Sequence, residues 1–188
     1  MYNILKKWNI DAPEDCGSGM RYLSDNNPDK VFALDELPLT VSGENNDKYA
    51  QFELIFQVAK RNKQLLKKFV LKEDKYINVF TKLWLYNKFY ASAYLCDYLR
   101  GDSKYRKYYK DLQLRVGESG LLEVTDKIEL DYLVRINTRE IANVSFYCEE
   151  YELIIVSSFG EYFLVYFNDL SHFDKVKSIA ESEGLFLR

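Results

Sequence analysis

Residues Asn143–Phe167, NVSFYCEEYELIIVSSFGEYFLVYF, decide how this chain folds. Val144, Phe146 and Cys148 alternate with Ser145, Tyr147 and Glu149. Further on, Phe163, Val165 and Phe167 alternate with Tyr162, Leu164 and Tyr166. A period of two in β-branched and aromatic residues is what a pleated, partly buried strand requires. The stretch predicts three strands, at 144–149, about 151–158 and 161–167. Connections this short cannot cross over a sheet, so the strands should form an antiparallel meander. Gly160 is the expected turn residue, because glycine takes a positive φ without steric cost.

Beyond the meander, Phe173, Val176, Ile179 and Ala180 recur at helical spacing. Ser171 three residues before Asp174 reads as the helix start, and Gly184 as a left-handed stop. Leu185–Leu187 is apolar enough to dock. Before the meander, 129–137 alternates with Leu130, Tyr132, Val134 and Ile136 inward, which predicts a further strand. Residues 76–86 read the same way, through Ile77, Val79, Thr81, Leu83 and Leu85. Residues 88–100 lack clear alternation and predict a helix, with a second at 103–112. Helical spacing from about Asp47 links Phe52, Ile55, Phe56, Ala59, Leu65, Leu66 and Phe69, with Asn45, Asn46 or Asp47 as cap. Lys30–Leu37 predicts a short strand ended by Pro38. Residues 12–28 predict irregular surface, and 1–10 a short helix carrying Tyr2, Leu5 and Trp8. The expected fold is α+β, one domain over 1–188, with a mostly antiparallel sheet of about five or six strands and helices packed on it.

Composition narrows the function. The chain is 47% hydrophobic and 29% charged, with 16 Tyr and 12 Phe, which is the balance of a globular protein. No apolar run approaches the ~20 residues of a membrane span. MYNILKKWNIDAPED has no apolar core long enough for a secretory signal. Cys16, Cys96 and Cys148 show no CxxC spacing and suit reduced thiols, so the expected compartment is the cytoplasm. Net charge is −3, yet residues 60–116 hold 15 Lys and Arg against 5 Asp and Glu, while 117–188 hold 6 against 14. An unneutralised asymmetry of that kind gives basic and acidic faces that steer partners of opposite charge.

Catalytic patterns are thin. His172 is the one histidine. No GxSxG elbow accompanies it, and Gly117-Glu118-Ser119-Gly120 misses that pattern by one residue. No Cys/His cluster has metal-ligand spacing, so neither metal nor cofactor is expected. Cys148 sits on an apolar strand face, where a thiol is inert. Gly17-Ser18-Gly19 lacks the rest of a phosphate loop. Paired carboxylates leave an enzyme as one alternative reading. The basic residues Lys60, Arg61, Lys63, Lys67 and Lys68, with the Tyr-rich run Tyr105–Lys110, leave a nucleic-acid-associated protein as another. The favoured reading gives those basic faces to solvent and expects a protein partner.

The sharpest candidate for a partner site is the meander tip, Glu149, Glu150, Tyr151 and Glu152. Glu140, Glu161, Glu129 and Asp131 would extend it into an acidic sheet edge or face suited to a basic partner. The segment VSFYCEEYELIIVSSFGEYFLVYFNDLSHFDKVKSIAESEGL, on a small acidic chain rich in Tyr and Asn, resembles bacterial immunity proteins. These neutralise polymorphic toxins, including those of contact-dependent growth inhibition systems. The resemblance implies a cognate toxin as partner, often a nuclease. It also implies stoichiometric inhibition without chemistry, the carboxylates standing where phosphates would bind.

Overall fold

The structure, a computed structural model, describes residues 2–11, 16–41, 43–45, 54–95, 110, 120–158 and 162–188. Seven strands form one antiparallel sheet: β1 (Val31–Asp35), β2 (Phe89–Leu95), β3 (Leu122–Glu123), β4 (Ala142–Cys148), β5 (Leu153–Ser158), β6 (Tyr162–Phe167) and β7 (Phe186–Leu187). Their order is β3-β2-β4-β5-β6-β1-β7. Six α-helices are described: α1 (Tyr2–Lys7), α2 (Cys16–Asn26), α3 (Phe56–Ala59), α4 (Lys63–Tyr86), α5 (Lys127–Thr138) and α6 (Phe173–Ser182). The fold is α+β, with slightly more strands than the sequence predicts.

The meander forms as expected. Phe146 opposes Ile155, and Ile155 opposes Val165, so one register runs through all three strands. Alternation then splits the side chains between two cores. Val144, Phe146, Cys148, Leu153, Ile155, Phe163, Val165 and Phe167 enter the larger one, against α4, α5 and α6. Tyr147, Ile154 and Tyr166 face the other way and meet Ile4, Leu5, Trp8, Met20 and Leu23 of the two N-terminal helices and the residue after α1. Both sheet faces are therefore covered. The larger core centres on Phe80, whose ring meets Phe146 at 4.7 Å and Phe163 at 5.0 Å, both edge-on. Such contacts contribute about 0.5–1.5 kcal/mol each beyond the area they bury.

Several expectations are corrected. Residues 76–86 are the second half of helix α4, not a strand. Phe69, Tyr76, Ile77, Phe80 and Leu83 are buried at helical spacing, while Leu85, which the alternation would bury, is 67% exposed. Helix α4 is capped by Asn62, whose side chain accepts from Gln64 N at 2.8 Å, so the single helical run expected through Phe56, Ala59, Leu65 and Phe69 is divided between α3 and α4. Residues 129–137 are helix α5, capped by Asp126, which accepts from Glu129 N at 2.8 Å. Asp126 followed three residues on by Glu129 is a start signal that the alternation obscured.

Residues 89–95 are strand β2, paired with β4 along its whole length from Phe89↔Cys148 to Leu95↔Ala142. Its small Ala and Ser residues weaken the strand signal, and the tertiary pairing supplies what propensity lacks. Residues 16–26 are a helix whose Met20 and Leu23 are buried. Helix α6 is preceded by a 3₁₀ turn, Leu170–His172, capped by Asp169. Ser171 instead donates its hydroxyl to Asp169 Oδ2 at 2.6 Å. Gly184 ends α6 at φ +70°, and the residues after it dock as β7 on β1, both as expected. The predicted turn at Gly160, the helix start at Asp47 and all of the predicted 103–112 helix except Lys110 fall outside the described residues.

Candidate functional site

The four residues joining β4 to β5 are held from both sides. Glu149 N donates to Lys88 O at 2.9 Å, and Tyr151 N donates to Asn87 Oδ1 at 3.0 Å. Asn168 N donates to Glu152 O at 3.1 Å, tying the turn to the end of β6. The end of α4 thus grips one side of the turn and the end of β6 the other. Asn87 is itself buried and donates to Leu83 O at 2.8 Å, which fixes the oxygen that holds Tyr151.

The side chains divide into three kinds. Tyr151 is 5% exposed, so it does not project to a partner as the sequence suggests. Its ring stacks on His172 at 4.5 Å and 18°, and the Lys175 ammonium lies 5.2 Å from the ring centroid. This stack is what occupies the one histidine. Glu149 is bonded by the Lys7 ammonium and accepts from the Tyr90 hydroxyl at 3.1 Å. Lys7, with Tyr90 behind it, holds the Glu149 carboxyl below the usual carboxylate range. Burial and the bond to Glu149 push the Tyr90 hydroxyl up. Glu152, at φ +49°, accepts from Asn168 Nδ2 at 2.6 Å. Glu150 alone is exposed, and its carboxylate accepts from Lys88 N at 2.5 Å.

Tertiary structure adds members that linear reading missed. Glu123 on β3 lies opposite Tyr90, and both Glu123 and Glu150 act electrostatically on that hydroxyl. Lys7 feels Glu149, Glu150 and Glu152 together. Four carboxylates and two lysines, Lys7 and Lys88, therefore share one end of the sheet. The β3–β2–β4 pairing brings Glu123 there, and no sequence spacing signals it.

Glu129 and Asp131 lie on helix α5, not on a sheet edge, and Asp131 accepts from Lys127 at 3.1 Å. Glu161 falls outside the described residues. Cys148 is fully buried, and burial pushes its thiol well above the ordinary range, in keeping with an inert packing role. Among the described residues no group of three His, Cys, Asp or Glu side chains is arranged to hold a metal, and no helix is long and apolar enough to cross a membrane. Comparison of the chain with protein-family models, with curated proteins and with solved structures finds no match to any of them.

Proposed function

We propose that this protein is an immunity protein that neutralises a cognate bacterial toxin by stoichiometric binding, and that the β4–β5 turn with Glu123 is its docking surface. The observation that carries the reading is the bracing of the turn. The Asn87 side chain, the backbone of Lys88 and Asn168, and the buried Tyr151 ring set Glu149, Glu150 and Glu152 in one arrangement before any partner arrives. A surface ordered in advance gives up little conformational freedom on binding, so more of the contact energy appears as affinity. Its carboxylates complement a basic groove and accelerate encounter with it.

The test begins with affinity capture of the tagged protein from its native host, with the neighbouring reading frames inspected alongside. The expected result is one stoichiometric partner, encoded next to this chain, whose toxicity this protein abolishes. Binding should weaken with salt and fall at least tenfold in Glu123→Lys/Glu150→Lys, which changes two exposed side chains. A partner bound with unchanged affinity by that variant would place the interface elsewhere. Capture of no partner protein would sink the immunity reading.

A further inference from the structure

The long helix α4 treats its cations in two ways. In its second half, Lys75 pairs with Glu36 at 2.8 Å, and Lys82 pairs with Glu183 at 2.5 Å. At its start the pattern stops. Arg61, Lys63, Lys67 and Lys68 are exposed, and none of them pairs with a carboxylate among the described residues. Lys60 beside them donates to Gln57 and faces Glu140, so it is partly compensated.

This arrangement works against the helix. The first turn of α4 contains no acidic residue, although the amide end of a helix favours negative charge and disfavours cations. Lys63 and Lys67 stand four apart, a like-charge pair that repels on one face. The capping Asn62 is neutral and offsets none of this charge. Four cations gathered at the positive end of a helix lower the stability of the free protein and raise its attraction for an external polyanion. Among the described residues no exposed aromatic ring borders these four cations, so the described patch has the means to neutralise a backbone but not to stack bases. The sequence reading left this face to solvent. The contrast with Lys75 and Lys82 on the same helix points elsewhere.

We propose that Arg61, Lys63, Lys67 and Lys68 form a second interaction surface, distinct from the acidic turn, that binds the phosphate backbone of nucleic acid without reading its sequence. Condensed counterions on a nucleic acid make such a partner a better match than an isolated acidic protein patch, because binding releases them.

The experiment is fluorescence anisotropy of a labelled single-stranded DNA with the whole protein, repeated across salt concentrations. Four phosphate contacts predict a log–log salt slope of about −3, or roughly 50-fold weaker binding between about 50 mM and about 200 mM salt. Scrambling the DNA sequence should leave affinity unchanged. In Lys63→Glu/Lys67→Glu/Lys68→Glu, binding should be lost at a melting temperature that does not fall, because a carboxylate at position 63 suits the helix start and the 63/67 repulsion is only exchanged in sign. Loss of binding with a lowered melting temperature would indicate damage to the fold, and Lys67→Gln/Lys68→Gln should then flatten the slope by about 1.4 at intact stability. The proposal is overturned by no binding at about 50 mM salt, by a slope that none of these variants changes, or by binding to anionic phospholipid vesicles but not to DNA.

Discussion

Replacing Glu73 by Gln tests whether the helical layer is locked by one buried charge. The Glu73 side chain is 0% exposed on α4 and receives four donors from α5 and its C-terminal end. Oε1 accepts from Thr138 Oγ1 at 2.8 Å and from Arg139 Nε at 2.8 Å. Oε2 accepts from Arg139 Nη2 at 2.7 Å and from Arg135 Nη1. Each oxygen therefore faces two donors, so an amide nitrogen in either place sets donor against donor whichever way Gln turns. Breaking one side of a buried ion pair costs about 3–5 kcal/mol. Arg135 and Arg139 are 33% and 31% exposed and regain some water once released, which argues for the lower end, about 3 kcal/mol. For a chain of this length that lowers the melting temperature by about 6–12 °C. Urea unfolding followed by circular dichroism reads the loss as a lower midpoint at unchanged slope. Replacing all three charges together, as Glu73→Met/Arg135→Met/Arg139→Leu, should recover most of it, since apolar packing matches a buried ion network of similar volume. A midpoint shift in Glu73→Gln worth less than about 1 kcal/mol would refute the reasoning.

Other outcomes follow from the same structure. Tyr151→Ala should destabilise by about 3–5 kcal/mol through loss of a buried ring, and Asn87→Ala by about 1–3 kcal/mol through the unpaired Tyr151 amide, both read by urea midpoints. Because Lys7 holds Glu149 below its ordinary value, the tie is intact above the unfolded carboxylate range and is lost as pH falls through the lowered folded value. In a Trp84→Phe background, emission from buried Trp8 should shift red over that acid window, and Glu149→Gln should remove the step; an identical acid profile in both would discount the tether. Glu140, by contrast, is raised by burial, so its contribution is present below the unfolded value and lost as pH rises through the folded one. Glu140→Gln should therefore be relatively more stable at neutral pH than at pH below the carboxylate range, which paired melts at the two pH values would reveal. Cys148 should resist iodoacetamide until the protein unfolds, and peptide mapping that finds it labelled in the native state would contradict its burial.

How much was legible depends on where each pattern's physics lies. The meander could be read directly because its alternation serves two covered faces at once, and a one-residue slip would exchange the larger core for the smaller. Gly184 was legible because a positive φ at a helix end selects glycine locally. The α4 and β2 assignments were inverted for the opposite reason. Ile77, Val79, Leu83 and Leu85 satisfy a strand template by spacing, yet they belong to a 24-residue helix whose buried stripe becomes evident only over its full length. The Ala and Ser residues of β2 carry little preference of their own and become a strand because β4 offers a complete ladder.

The candidate site shows the same division. Its acidic turn was visible as Glu149-Glu150-Tyr151-Glu152 because charge is a property of the residues themselves. Which of those side chains faces outward was not, since the burial of Tyr151 depends on His172 and Asn87, far away in the chain. Glu123 and Lys7 joined the turn through strand pairing and helix packing. The sequence by itself determined the strand meander, the C-terminal helix and the uneven charge. Tertiary structure decided which charges are neutralised inside the fold and which remain to meet a partner, because Coulomb energy depends on distance and burial rather than on order along the chain.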